Sequence, residues 1–131
     1  MDRKTILIVE DQIDIRKLIR ITTSQAYNVL EAEAAVTALE IIRRDRPCLV
    51  LLDIVLPGEM DGLQVLDAVR ADPDLQATSV ILVTARGQEA DYDLGISRGA
   101  DEYITKPFSP ALLLDRVKSL TQANRGVRLS A

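Results

Sequence analysis

The segment Thr5-Ile6-Leu7-Ile8-Val9-Glu10-Asp11 combines a short apolar run with two acidic residues at its end. A second apolar run, Leu49–Leu52, is followed directly by Asp53. Apolar runs without polar alternation are typical of strands that are buried on both faces of a parallel sheet. These two segments therefore predict central parallel strands, each with carboxylates at its carboxyl end.

The rest of the chain alternates between predicted strands and predicted helices. Residues 80–83 are another continuously apolar strand, whereas residues 28–32 and 102–105 are of mixed polarity, as edge strands tend to be. Residues 88–98 contain Gly95 and few apolar positions, so they predict a weaker helix and the best candidate for a mobile element. Four other segments carry apolar faces at helical spacing, marked by Ile15, Leu18, Ile19 and Thr22; Ala35, Ala38, Leu39 and Ile42; Leu63, Leu66 and Val69; and Leu113, Leu114, Val117 and Leu120.

Five strands that alternate with five helices predict a single α/β domain with a doubly wound, five-stranded parallel sheet. Because the second and fifth strands have the character of edges, the expected strand order is 2-1-3-4-5, which is the flavodoxin-like order. The apolar pattern ends at Leu120. We therefore place the domain at residues 1–122 and a C-terminal tail at residues 123–131.

Short sequence signals predict where the third and fourth helices end and where the fifth begins. Asp72-Pro73 is expected to end the third helix, since proline disfavours helical backbone in the residue before it. Gly99 is expected to cap the carboxyl end of the fourth helix. Ser109-Pro110 is expected to begin the fifth, with serine as N-cap and proline at the first helical position.

Composition limits the classes of function. The chain has 131 residues, 47% of them hydrophobic, and a net charge of −4, which describes a soluble domain and argues against nucleic-acid binding through bulk charge. It has no apolar run of membrane-spanning length and no secretory signal at its start, so a cytoplasmic protein is predicted. The single cysteine, Cys48, is interpreted as a small buried hydrophobe.

Histidine is absent from the sequence. This excludes nucleophile systems that depend on a histidine base, and it excludes imidazole-rich zinc sites. Any metal site must then be built from oxygen ligands, which favour a hard cation such as Mg²⁺.

Five polar residues are expected at one edge of the sheet, because each follows or ends a parallel strand: Glu10, Asp11, Asp53, Thr84 and Lys106. Crowded carboxylates raise one another's pKa unless a cation lies between them, and Mg²⁺ both accepts carboxylates and bridges to phosphate oxygens. The pattern predicts phosphoryl transfer to Asp53 as nucleophile, giving an acyl phosphate. Lys106 would supply positive charge to the phosphoryl oxygens and Thr84 a hydroxyl donor.

These motifs, in their order and spacing, resemble the receiver domain of two-component response regulators over residues 5 to about 122. The residues that carry the resemblance are Ile8-Val9-Glu10-Asp11, Leu52-Asp53-Ile54-Val55-Leu56-Pro57-Gly58, Asp61-Gly62, Val83-Thr84-Ala85 and residues 99–108. The loop that contains Gly58 is one residue longer than the commonest form of the family. Ala26 stands where a glycine often precedes the second strand.

The resemblance implies a role for each site residue. Asp53 would be the phosphoacceptor, and Mg²⁺ would be held by Glu10, Asp11, Asp53 and the backbone carbonyl of Val55. Lys106, on a cis Lys106-Pro107 bond, would contact the phosphoryl group. Thr84 and Tyr103 would form a switch pair, in which Tyr103 turns inward when Thr84 bonds the phosphoryl oxygen. Arg86, at the mouth of the site, is expected to contact Glu59 or the phosphoryl group.

The resemblance also implies partners. A sensor histidine kinase or a histidine phosphotransfer protein would donate the phosphoryl group, and a downstream protein would bind the face formed by the fourth helix, fifth strand and fifth helix. Direct nucleic-acid and membrane binding are not expected, and the chain would be a monomer or a weak homodimer. Asp101, Arg116 and Lys118 either pair across such a dimer or are solvated surface charges.

The expected function is a signalling switch that catalyses only its own phosphorylation and dephosphorylation. Three other functions are alternatives to it. A Mg²⁺-dependent phosphatase would need a second carboxylate two residues after Asp53, where Val55 stands. An interaction module independent of phosphorylation would have no need of the acidic pair, the aspartate and the lysine that this chain retains. A nucleotide-binding flavodoxin-like protein would carry a glycine-rich loop after the first strand, and none is present.

Overall fold

The apolar segments form a five-stranded parallel sheet in the computed structural model, which describes residues 3–123. The strands are β1 (Thr5–Val9), β2 (Asn28–Ala32), β3 (Leu49–Leu52), β4 (Ser79–Thr84) and β5 (Glu102–Thr105). Their order is β2-β1-β3-β4-β5, which confirms the predicted flavodoxin-like topology. Most of the predicted tail, residues 124–131, lies outside the described residues.

Five helices connect and follow the strands: α1 (Ile13–Thr23), α2 (Ala35–Asp45), α3 (Gly62–Ala71), α4 (Glu89–Ser97) and α5 (Pro110–Ala123). A short 3-10 helix, Pro73–Leu75, follows α3. No helix within residues 3–123 is long and apolar enough to cross a bilayer.

The sheet has a separate hydrophobic core on each face, because successive side chains of a strand point to opposite sides. In β1, Leu7 and Val9 pack with α2 and α3, while Ile6 and Ile8 pack with α1 and α5. The same alternation recurs in β3 and β4, whose residues are all buried. Burial on both faces explains why the central strands are continuously apolar in sequence.

The three predicted helix ends are confirmed. Asp72, in extended conformation, ends α3 just before Pro73. Gly99 follows α4 with a φ of 109°, the left-handed conformation that favours glycine at a helix end. Ser109 Oγ accepts a hydrogen bond from the Leu112 backbone N–H at the start of α5, at 3.3 Å.

Two predictions of burial were wrong in detail. In α1, Leu18 is 41% exposed, and the buried threonine is Thr23, whose hydroxyl donates to the Ile19 carbonyl, instead of Thr22. Only a narrow stripe of α1 is buried, because the helix packs against the sheet and α5 and leaves its flanks in solvent. Cys48 is half-buried and not part of the sealed core, since it lies at the open amino end of β3.

Helix α4 packs on the sheet through a glycine. Within α4, whose residues are all described, Gly95 alone is buried. A Cβ atom at Gly95 would lie 2.7 Å from Leu82 Cδ1 and 3.2 Å from the Tyr103 ring. Gly95 therefore allows a close approach between α4 and the sheet; the mobility of this helix stays a prediction.

Candidate functional site

The carboxyl ends of the strands bring the five predicted polar residues to one edge of the sheet. Glu10 follows β1 and Asp53 follows β3, and these strands pair in register at Val9 and Leu52. Thr84 is the last residue of β4 and pairs with Thr105 of β5, the residue before Lys106. Parallel pairing alone thus places the carboxylates, the hydroxyl and the lysine on one side of the sheet.

Lys106 bridges two buried carboxylates. Its Nζ lies 2.7 Å from Asp53 Oδ2 and 2.6 Å from Glu10 Oε1, and its side chain is only 10% exposed. A third oxygen, Gln12 Oε1, lies 3.4 Å from the same nitrogen. The peptide bond between Lys106 and Pro107 is cis, as the resemblance implied.

An acidic cluster surrounds this lysine. Carboxylate oxygens of Glu10, Asp11 and Asp53 lie within 4.8 Å of one another, with Glu10 and Asp53 buried and Asp11 exposed. Glu10 Oε1 makes no well-directed hydrogen bond to any described residue, so its contact with Lys106 is one of charge. A cluster of hard oxygen atoms that opens to solvent through Asp11 suits a divalent cation.

The pKa values show that positive charge is scarce at the cluster. Burial raises the pKa of Glu10 above its usual range, and the close ammonium group of Lys106 and the hydrogen bond from the Gln12 backbone N–H oppose this only in part. Burial by itself lowers the pKa of Lys106, but the hydrogen bond to Asp53 and the close negative charges of Asp53 and Glu10 raise it overall. Lys106 thus donates a hydrogen bond to Asp53 but leaves the buried Glu10 carboxylate incompletely compensated, and a bound cation would relieve this.

Backbone contacts hold Asp53 in place. Its Oδ1 accepts a hydrogen bond from the Val55 N–H at 3.0 Å, and the Gly62 N–H donates to the Ile54 carbonyl at 2.8 Å. A Cβ atom at Gly62 would lie 2.0 Å from the Asp53 carbonyl oxygen. The start of α3 can approach the loop after β3 this closely only with glycine at position 62.

Thr84 and Tyr103 lie on neighbouring strands beside this site. Thr84 is fully buried, and its Oγ1 accepts a long hydrogen bond of 3.4 Å from the Arg86 N–H. The Tyr103 ring is buried, its hydroxyl donates to the Arg86 carbonyl, and its centroid lies 5.6 Å from that of Tyr92 in α4. The Arg86 backbone therefore connects the two predicted switch residues.

Some expected contacts are not found. Within residues 3–123, no ion pair joins Arg86 to Glu59; the Arg86 backbone is engaged and its side chain is exposed. Asp101 is not a surface charge available for a dimer, because its side chain is 7% exposed and pairs with Arg70 at 2.9 Å. Arg116 lies 4.0 Å from its neighbour Asp115.

Sequence reasoning missed three residues that shape the site. Gln12 contacts Lys106, and Gly62 allows α3 to approach Asp53. Arg16 binds the backbone of the acidic loop, which is residues 10–12 between β1 and α1. Gly62 belongs to the Asp61-Gly62 motif of the family resemblance, but the sequence does not show that it lies against Asp53. A glutamine and an arginine in a helical stretch carry no local signal of such contacts, since either is ordinarily solvated.

A five-stranded parallel sheet of order 2-1-3-4-5 with helices on both faces is the fold of a response regulator receiver domain. The chain belongs to the response regulator receiver domain family, which matches residues 6–118. It is 41% identical over 118 residues to the phosphate regulon transcriptional regulatory protein PhoB of Pseudomonas aeruginosa, an alignment that covers 89% of this chain and 51% of that protein.

Solved structures give the same family. A CheY-like response regulator receiver domain protein of Methanospirillum hungatei JF-1 matches with a TM-score of 0.81 and 31% identity, over 92% of this chain and 96% of that chain. The BeF3-activated N-terminal receiver domain of Klebsiella pneumoniae RstA matches with a TM-score of 0.81 and 32% identity, over 88% and 97%. The chain spans about half the length of the curated relatives it matches.

Proposed function

We propose that this chain is the phosphoacceptor of a two-component phosphorelay and that Asp53 accepts the phosphoryl group. The observation that carries the proposal is the buried Asp53 carboxylate, which lies against Lys106 and within an acidic cluster at the carboxyl edge of the sheet. A carboxylate oxygen of Asp53 would attack the phosphorus of a phosphohistidine. The N–P bond then breaks, the imidazole nitrogen leaves and takes up a proton, and an acyl phosphate remains on Asp53.

Mg²⁺ is the cofactor we propose for this site. Glu10, Asp11 and Asp53 would hold it through carboxylate oxygens, together with the backbone carbonyl of Val55. The fit rests on the donor set, on the buried Glu10 oxygen without a well-directed hydrogen bond, and on the raised pKa of Glu10. When bound, the ion neutralises charge on the phosphoryl oxygens and orients the group for transfer.

The chain's own residues would do the remaining work. Lys106 lies 2.7 Å from Asp53, so its ammonium group can follow the negative charge onto the phosphoryl oxygens. The Thr84 hydroxyl ends β4 beside the site and can donate to one of those oxygens. A new hydrogen bond at Thr84 would alter the Arg86 backbone, to which Tyr103 is bonded. Thr84 and Tyr103 would thus act as the switch pair.

The output we propose is protein binding through the face of α4, β5 and α5. A sensor histidine kinase or a histidine phosphotransfer protein is the proposed donor, and a cytoplasmic location and a monomer or weak homodimer are proposed with it. The chain would not bind nucleic acid directly, which the net charge of −4 supports. It would act as a switch and catalyse only its own phosphorylation and dephosphorylation.

The test is to incubate the protein with acetyl phosphate, with and without Mg²⁺, and to follow the intact mass. We expect a Mg²⁺-dependent gain of one phosphoryl group that Asp53→Asn abolishes and that Asp67→Asn, an exposed aspartate on α3, leaves unchanged. A beryllofluoride mimic should change the environment of Tyr103 in the same samples. A folded protein that is neither modified nor altered by the mimic would instead favour an interaction module independent of phosphorylation.

A further inference from the structure

Arg16, in the second turn of α1, forms a three-way fork beside the acidic loop. Its Nη1 donates to the Glu10 backbone carbonyl at 2.9 Å, and its Nε donates to Glu31 of β2 at 3.0 Å. Its Nη2 donates to Glu33, just beyond β2, at 3.3 Å. The Arg16 side chain is only 11% exposed, so its contacts with the Glu10 carbonyl and Glu31 are largely shielded from water, whereas Glu33 is 73% exposed.

The carbonyl that Arg16 binds belongs to the peptide unit between Glu10 and Asp11. The orientation of this planar unit sets the directions in which both acidic side chains leave the backbone. On the other side of Glu10, its N–H donates to the Ala32 carbonyl at 3.0 Å, which continues the pairing of β1 with β2. Arg16 therefore fixes the half of the acidic loop that the sheet does not reach.

The charge of Arg16 is already compensated. Glu31 and Glu33 both pair with the guanidinium, and Glu31 also pairs with Arg20. A guanidinium neutralised by two carboxylates adds little long-range field to the acidic cluster. Arg16 differs from Arg20 in its geometry, because its planar fork holds the Glu10 carbonyl as well as carboxylates at fixed angles.

We propose that Arg16 is a positioning residue for the metal site: it links the acidic loop to the edge strand β2 and so holds Glu10 and Asp11 in the arrangement that binds a divalent cation. This inference rests on the proposed function, because it concerns the same acidic cluster. It adds α1 and β2 to the elements that determine metal affinity. Groups of this kind, which orient the residues that bind a metal, change metal affinity by about 10- to 100-fold when removed.

The test is a Mg²⁺ titration of the purified chain by isothermal titration calorimetry, with the fold checked by circular dichroism. The variants are Arg16→Ala, Arg16→Lys and the matched control Arg20→Ala, which also loses a pair with Glu31 but does not touch the acidic loop. We expect both Arg16 variants to raise the Mg²⁺ dissociation constant about tenfold. Arg20→Ala should keep the wild-type value, and lysine should not rescue because it cannot form the planar fork.

Acetyl phosphate uptake gives a second measurement. The Mg²⁺ concentration for half-maximal rate should rise in the Arg16 variants while the rate at saturating Mg²⁺ stays close to that of the wild type.

A merely structural role would lower the melting temperature without changing the Mg²⁺ dissociation constant of the folded protein, and that result overturns the inference alone. Absence of Mg²⁺ binding in the wild type would overturn the proposed function as well. If Arg16→Ala fails to fold, the Mg²⁺ dissociation constant of Arg16→Lys, compared with that of the wild type, tests the inference.

Discussion

At the level of single residues, Lys106 is the positive group on which the metal-free site depends. It is nearly buried and contacts one oxygen each of Asp53 and Glu10. Removing it leaves two buried carboxylates close to each other without a charged partner among the residues at the cluster. Carboxylates in that position are stable only if they take up a proton or a cation.

Lys106→Ala should therefore destabilise the metal-free protein by about 2 kcal/mol, since a hydrogen-bonded charge pair is broken in a largely buried place. Mg²⁺ should restore more stability to this variant than to the wild type, because one cation replaces another. Thermal melts with a chelator and with Mg²⁺ measure both effects. Lys118→Ala, on the exposed side of α5, is the control. An equal rise in melting temperature on adding Mg²⁺ to Lys106→Ala and to the wild type would contradict the prediction.

Glu10 gives a prediction about pH, since burial raises its pKa. A group whose pKa is raised on folding favours the folded state where it is protonated, and this contribution is lost as the pH rises through its folded-state pKa. At neutral pH the Glu10 carboxylate thus destabilises the metal-free fold. Glu10→Gln should raise the melting temperature there, while Lys106 keeps Asp53 as its partner.

The advantage of Glu10→Gln should shrink as the pH falls through the raised pKa of Glu10, because the wild-type carboxyl then becomes neutral as well. Melting temperatures of the two proteins across acidic and neutral pH, in a chelator, measure this difference. The same substitution should weaken Mg²⁺ binding, since it removes a charged ligand. A difference in melting temperature that is independent of pH would show that Glu10 is not the group responsible.

At the level of elements, the contact between α3 and the loop after β3 depends on Gly62. Gly62→Ala would place a Cβ atom 2.0 Å from the Asp53 carbonyl oxygen, so either the helix or the loop must shift. We expect a loss of about 3 kcal/mol in the free energy of unfolding, as for severe overpacking, together with slower phosphorylation of Asp53. Denaturant unfolding and acetyl phosphate uptake test the two effects.

Gly58→Ala, in the loop that precedes α3, is the matched control. Gly58 has a φ of 90° but open space around its Cα, so alanine adds backbone strain without a clash. That strain should cost about 1–2 kcal/mol and leave Asp53 in place. Equal effects of the two substitutions on phosphorylation would show that the contact between Gly62 and Asp53 is unimportant.

A buried ion pair joins α3 to the amino ends of β4 and β5. Arg70 donates to Asp101 and to the carbonyls of Thr78 and Gly99, and Asp101 also accepts from the Val80 N–H. Asp101→Ala should cost about 3 kcal/mol, because it leaves a buried guanidinium without its carboxylate.

The matched control for this pair is Asp67→Ala. It breaks the exposed pair between α3 and Arg98 and should cost less than about 1 kcal/mol. Denaturant unfolding of both variants checks the difference. Similar losses would mean that burial of the Arg70–Asp101 pair adds nothing to its contribution.

At the level of the whole molecule, the parallel sheet explains why distant residues meet. The five site residues span positions 10 to 106 of the sequence, yet each follows or ends a strand whose direction is shared. The neighbouring strands β1 and β3 lead to helices on opposite faces of the sheet, α1 and α3, and this opens a crevice between their loops at the carboxyl edge. Strand order and direction therefore bring the site residues together, and side-chain contacts then fix their arrangement.

The sequence by itself determined the strands, their order and the group of residues at the carboxyl edge. Short, continuously apolar runs that alternate with helical segments are typical of strands buried on both faces of a parallel sheet, and polar residues at the carboxyl ends of such strands lie at the same edge. The separation into two cores and the helix ends at Pro73, Gly99 and Pro110 follow from local chemistry of the same kind. The roles of Asp53, Lys106, Thr84 and the metal ligands stay predictions, although the structure brings these residues together.

Only the tertiary structure decided contacts between segments that are far apart in the chain. Leu18 looked buried from helical spacing, yet it is exposed because the packing of α1 buries a narrower stripe than the pattern suggested. Asp101 looked like a surface charge until its pairing with Arg70, 31 residues away, was visible. The fork of Arg16 across α1, the acidic loop and β2 is of the same kind. A pattern of side-chain polarity specifies which face is buried, but partners across that face depend on three-dimensional packing, which no local pattern encodes.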